Sequence, residues 1–260
     1  MTPPAPPRLA PPRRKRRRRS PGWVPNQHGA WAMLLTPLLV GAVATGPRWE
    51  HLLLLAFWLS GYLAFFATGL WLKSRRKARY LPPVRVYVAL AAALGLALLA
   101  SAPGLVRWVP QFVVPLGVGL VASATRHERS LVSGLATTVG SCLMTVVAYD
   151  LGAGTDWVRA WQLTAVLAAY FSGTVFYVKS AIRERGELRF LAVSVAYHAA
   201  LVLLALLFLP SPADVALGVV GALLTARAAA VPALGWSPAR LGVGEIVMTL
   251  VVAGIALLTL

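Results

Sequence analysis

The chain is short of the side chains a water-soluble domain depends on. Only 13% of its 260 residues are charged, against about 25% in ordinary soluble domains. Acidic residues are scarcest, eight against 25 lysines and arginines. There is one cysteine, Cys142, inside an apolar run, which excludes an intrachain disulfide and any metal site built on cysteine. Strand-like alternation is missing too: residues 86–100 and 191–209 are apolar on every side. A chain that crosses lipid must satisfy its own backbone hydrogen bonds, as a helical bundle or as a closed barrel. Barrel strands alternate over about 10 residues, so the non-alternating runs select helices.

What the chain does have is apolar length. It is 58% hydrophobic with a mean hydropathy of +0.70. Its apolar stretches run to about 18–23 residues, enough to span a bilayer core as a helix. The predicted helices are 29–46, 50–72, 84–102, 109–124, 131–149, 160–178, 190–209, 213–231 and 242–260, the fourth weakened by Pro115, Gly117 and Gly119. The fold class expected is therefore all-α, a polytopic transmembrane bundle of about nine helices. Residues 1–22, rich in proline and arginine with seven consecutive basic residues from Arg13 to Arg19, cannot bury a core and are expected to form a disordered polybasic tail. Residues 23–260 form the transmembrane domain. Ala42-Val43-Ala44 resembles a signal cleavage site, but Pro37 interrupts the preceding segment and apolar runs follow to the end, so an uncleaved first span is expected.

A net charge of +17 would suggest nucleic acid in a soluble protein. Here the cations sit in short clusters between apolar runs, as topology determinants do, and no nucleic-acid partner is expected. With nine spans, 22 of the 25 lysines and arginines fall on one face; Arg48, Arg107 and Arg159 fall on the other, together with Asp150, Asp156 and Asp214. The bias predicts a cytoplasmic N-terminus and an external C-terminus. One pattern recurs 106 residues apart: Trp71-Leu72-Lys73-Ser74-x-x-Lys77-x-Arg79 and Tyr177-Val178-Lys179-Ser180-x-x-Arg183-x-Arg185, with Phe65 and Thr68 matching Phe171 and Thr174. It predicts parallel halves, helices 1–4 and 5–8, with the ninth extra.

Candidate functional residues gather on the basic face. Asn26-Gln27-His28-Gly29-Ala30-Trp31 opens the first helix; Asn26 caps it or binds a ligand, and His28 titrates near neutrality. Lys73, Arg76, Lys179 and Arg183 are placed to bind a phosphate directly. Glu184, Glu187 and Glu128 have basic neighbours and read as surface ion pairs. Glu245 lies a turn inside the last helix and needs a buried partner, among His28, Lys73, Lys179 and Arg227. His198, mid-way along the seventh helix, is a buried core histidine or a functional one. The expected site is a pocket in which Lys73 and Lys179 converge on His28 and Glu245.

Three of these segments carry a resemblance. The run from Asn26 to Met33 followed by Leu34-Leu35 and Pro37, the Lys179-Ser180-x-x-Arg183-Glu184-Arg185 loop, and Arg240-Leu241-Gly242-x-x-Glu245 resemble the YwiC-like membrane protein family, over most of the chain from Trp23 to Leu260. The resemblance implies a multi-pass protein of the bacterial inner membrane and brings no reaction with it. In architecture alone the chain is similar to UbiA-type prenyltransferases, nine-helix proteins whose 2–3 and 6–7 loops carry Asp-rich motifs that hold magnesium and a prenyl diphosphate. The equivalent loops here are basic, and no Asp lies on that face. The function expected is binding of an anionic lipid or isoprenoid diphosphate at the cytoplasmic face, with no metal or cofactor. Proton-coupled transport through Glu245, His28 and His198, prenyl transfer through glutamate-held metal, and a non-catalytic membrane partner are the alternatives. The oligomeric state is left open.

Overall fold

The protein is described here by a computed structural model that covers residues 22–25 and 30–260. Among the described residues nine α-helices follow one another: α1 (Ala30–Thr45), α2 (Trp49–Lys73), α3 (Leu81–Ser101), α4 (Val109–Ala124), α5 (Leu131–Leu151), α6 (Trp157–Ile182), α7 (Leu188–Phe208), α8 (Ala213–Leu234) and α9 (Pro238–Thr259). Short 3-10 turns at Ala78–Tyr80 and Pro103–Trp108 join α2 to α3 and α3 to α4. No strand occurs among the described residues. The second to ninth are long and apolar enough to cross a membrane, α4 only when joined to the 3-10 turn that leads into it, and α1 is apolar but shorter. The protein is thus a multi-pass helical membrane protein.

The helices differ from the predicted windows mainly at their ends. Hydropathy stops at the last apolar residue, whereas a helix stops where its free backbone groups find partners. Accordingly α9 starts four residues early, where the Ser237 hydroxyl accepts from Arg240 N–H at 3.4 Å and Pro238 takes the first turn. Asp156 does the same for α6, accepting from Arg159 N–H at 3.0 Å, and Ser130 for α5, from Ser133 N–H at 3.2 Å. Past their C-termini, α2, α4 and α5 turn through Arg75, Arg126 and Ala153 at φ 59°, 63° and 61°. In each the next residue's N–H reaches back to a helix carbonyl: Arg76 to Trp71, His127 to Ala122 and Gly154 to Tyr149. Glycine usually fills this left-handed position.

Successive loops alternate between two ends. At one end Lys73 after α2 pairs with Glu128 before α5, Tyr87 donates to Trp23 O at 2.8 Å, and Arg185 after α6 reaches Trp236 O before α9 at 3.4 Å. At the other, His51 Nε2 meets Ala148 O at 2.9 Å, and Arg107 pairs with Asp150. Here too Arg159 donates to Ala44 O at 3.4 Å and Leu257 O at 3.3 Å. The first end bears the Arg- and Lys-rich loops. The second bears Arg48, Arg107 and Arg159 with the aspartates.

The shift of four helices implied by the Lys-Ser motif runs through the packing. The helix pairs α2–α3, α2–α4, α2–α5 and α4–α5 recur as α6–α7, α6–α8, α6–α9 and α8–α9, while the close packing of α7 on α8 is not matched between α3 and α4. The units so related are α2–α5 and α6–α9, one helix later than the expected 1–4 and 5–8. The reason lies in α1: it packs on α5, α6 and α9 and touches α2 mainly through large side chains. Trp58 Nε1 donates to Leu34 O at 2.9 Å, and Trp31 meets Tyr62 edge-on at 5.9 Å. The extra helix is therefore the first, wedged between the units.

Two features seat α1 against α5. A Cβ on Gly41 would overlap the Thr145 carbonyl oxygen, so only glycine permits the backbones to approach this closely. Pro37 has no N–H to give Met33 O, and the freed carbonyl accepts from Ser141 Oγ of α5 at 2.7 Å.

Candidate functional site

Glu245 stands seven residues past Pro238, at the interface of α6, α8 and α9, and only 12% of its side chain is exposed. A carboxylate this far into an apolar bundle requires donors. Arg227 of α8 supplies one, with Nη1 2.5 Å from Oε1. Thr174 Oγ1 donates to Oε2 at 2.7 Å, and Tyr170 OH lies 3.2 Å from the same oxygen. Thr249 Oγ1 donates to the Glu245 carbonyl at 2.7 Å and is 3.2 Å from Tyr170 OH. Of the four partners weighed for Glu245, the structure selects Arg227. Its neighbours on α6 were missed, although Tyr170, Thr174 and Tyr177 recur at i, i+4 and i+7 and so share one helix face.

Arg227 is the less complete member of the pair. Its guanidinium lies over the Tyr177 ring, 4.1 Å from Cζ to the centroid, a cation–π contact. The side chain is 16% exposed, and its buried Nε has no hydrogen-bond partner among the described residues. A guanidinium has five N–H donors. Among the described residues only Nη1 makes a hydrogen bond, to Glu245, and Nε is closed off from solvent.

The expected convergence of the two lysines is not what forms. Lys73 is paired with Glu128 of the α4–α5 connection. Lys179 is 3.7 Å from Glu184 and 5.3 Å from the Phe190 ring centroid. α5 packs against both α2 and α6 and lies between them, so the two basic helix ends face different neighbours. Each lysine meets a carboxylate close to its own helix end, and neither meets Glu245. Arg76 stacks on Trp71 at 5.8 Å, and Arg183 is exposed at the end of α6. Asn26 and His28 lie outside the described residues. The Lys73 hydrogen bond holds the Glu128 carboxyl below its usual range, partly offset by burial.

His198 on α7 is buried, 2% exposed. Its Nδ1 is 2.7 Å from Ser194 O, a carbonyl that only accepts, so Nδ1 carries a proton. Nε2 faces α6 at Gly173, where a Cβ would come within 2.9 Å of it. Gly173 precedes Thr174, the Glu245 ligand, so the histidine and the ion pair share one turn of α6. Among the described residues no three His, Cys, Asp or Glu side chains gather as a metal-holding group.

At the opposite end the sequence analysis did not find a second polar knot. Trp108 Nε1 donates to Asp150 Oδ2 at 2.8 Å. Arg107, paired with the same carboxylate, lies 5.6 Å and 5.3 Å from the Trp108 and Trp157 ring centroids. Aromatic residues at such an end fit a membrane interface.

The YwiC-like protein family matches residues 24–149. Over 186 residues the chain is 35% identical to the uncharacterized protein YwiC of Bacillus subtilis, across 71% of this chain and 77% of that one. It is 28% identical over 188 residues to an uncharacterized protein of Haemophilus influenzae, across 72% of this chain and 78% of that one. No solved structure matches.

Proposed function

The chain belongs to the YwiC-like family, and from that premise we propose that it is a nine-span protein of the bacterial inner membrane that binds an anionic ligand from its cytoplasmic, basic end. Orientation rests on the 22-to-3 distribution of lysine and arginine. One observation carries the ligand class: Arg227, 16% exposed beside Glu245, gives only Nη1 to a protein acceptor among the described residues, which leaves its outer donors to a ligand. A phosphate or carboxylate oxygen there would satisfy one with a charge-assisted hydrogen bond. Lys179 and Arg183, at the end of α6, add positive charge to the same end of the bundle.

Native mass spectrometry of gently extracted protein tests the reading. Wild type should retain an anionic adduct. The double variant R227Q/E245Q, which removes both charges and keeps hydrogen-bonding side chains, should lose it at an unchanged melting temperature. No adduct on wild type, or equal adduct on both, counts against the site.

A second reading, proton-coupled transport, draws on His198, an ionisable group buried in a span one residue of α6 away from the Glu245 ligand Thr174. Proteoliposomes carrying H198Q should lose any pH-gradient-driven anion uptake seen with wild type. Uptake unchanged by H198Q removes the reading.

A further inference from the structure

The half that lacks the ion pair has a groove in the corresponding place. Arg227 minus the 106-residue repeat falls on Val121 of α4, and where α8 and α9 enclose a charged pair, α4 and α5 leave a groove of about 480 Å³. Its wall is Val113, Val114, Gly117, Val118, Val121 and Val132. Val113, Val114, Val121 and Val132 are 63–70% exposed, so none of the described residues covers this face. Gly117 leaves it open: a Cβ there would meet no atom within 4 Å.

The groove has direction. From Val113 to Ala122 it follows nine residues of α4, ~14 Å at the helical rise. That is about half of a ~30 Å hydrocarbon core, the depth of one leaflet. It ends at the α4–α5 connection, where Arg126, His127 and Arg129 are exposed. The one carboxylate in that connection, Glu128, is taken by Lys73. Arg126 and Arg129 have no carboxylate within ion-pair distance among the described residues. A dry slot one leaflet deep, closed by two free cations at head-group level, is complementary to a molecule with one anionic head and one long apolar chain.

We infer that the α4–α5 groove is a binding slot for an anionic phospholipid of the leaflet at the basic end, with a hydrocarbon chain along Gly117 and the phosphate between Arg126 and Arg129. The slot lies in the α2–α5 unit and is separate from the Arg227 site proposed above.

The test is native mass spectrometry of the full chain with phosphatidylglycerol or phosphatidylcholine added to the detergent. Wild type should retain phosphatidylglycerol in preference. R126Q/R129Q should weaken retention about thirtyfold, the order expected for removing two surface cations at about 1 kcal/mol each. G117L, whose Cβ would meet no atom within 4 Å and whose side chain would occupy the slot, should lose the lipid at a wild-type melting temperature, and R227Q/E245Q should keep it. Equal retention of the two lipids, or retention unmoved by G117L, overturns the inference and leaves the Arg227 reading intact. A dimer that dissociates with G117L also overturns it, because a second copy of the chain would then fill the groove. Loss of the lipid in R227Q/E245Q alone transfers it to the Arg227 site and likewise overturns the slot.

Discussion

Pro37 and Ser141 show how one residue's chemistry is completed by another more than a hundred positions away. The proline removes the donor for Met33 O, and the α5 hydroxyl replaces it. Ser141→Ala should therefore cost about 0.5–1.5 kcal/mol. In a Pro37→Ala background, where the helix regains its own N–H, the same change should cost only a few tenths. A double-mutant cycle on thermal unfolding measures the difference, and equal costs in both backgrounds would remove the account. The Lys73–Glu128 pair gives a pH signature. The Glu128 carboxyl is held low in the folded protein by its lysine, so its stabilisation is present above the unfolded carboxylate pKa and disappears as pH falls through the folded value. Both side chains are partly exposed, so the gain is small, about 0.5–1 kcal/mol. Melting temperatures of wild type and Glu128→Gln should differ near neutrality and merge in acid below about pH 4. At this scale the sequence made Glu245's need for a partner plain, because an apolar helix offered it none. It could not say that each lysine would be met by a glutamate near its own helix end, since that depends on which loops lie side by side.

Helices were the most legible elements. Each apolar window contains the body of an observed helix because a bilayer-length run without alternation has one way to satisfy its backbone. Their ends were legible in part: α4 matches at both ends and α5 and α8 at their starts, whereas α6 and α9 begin earlier than their windows because Asp156 and Ser237 cap from outside the apolar run. The left-handed turns were also hidden, since Arg75, Arg126 and Ala153 are not residues that announce such a conformation. Ala153 offers a clean measurement: it is exposed at φ 61°, and the left-handed region costs an L-residue about 1–2 kcal/mol. Ala153→Gly should stabilise the protein by ~0.5–1 kcal/mol after glycine's greater unfolded-state freedom is counted. A lowered melting temperature would mean that the turn is not strained.

Across the whole molecule, the repeated Lys-Ser motif was enough to predict a shift of four helices, because it marks two parallel helices at the same depth. It was not enough to say which helix stands outside the repeat. That is settled by the poor packing of α1 on α2, which sequence separation alone would not suggest. The basic and acidic ends were legible as charge alternation. Their orientation in the membrane is tested by fusion: a reporter active only outside the cytoplasm should be active after Leu260 and silent after Arg79, and the reverse pattern would invert the protein.

The seat of α1 has a consequence for the order in which the chain is made. The helix nearest the ribosome's starting point rests on α5, α6 and α9, the last of which begins at Pro238. At about 5–20 residues per second, translation takes ~10–40 s to cover the intervening ~200 residues. For that interval α1 is in lipid without α9, and until α5 follows, roughly half-way through it, the Pro37-freed carbonyl at Met33 and the bare Gly41 backbone also lack their partners. The newborn protein is thus most open to insertion chaperones and membrane proteases at its oldest segment, and it becomes closed only when its newest one arrives.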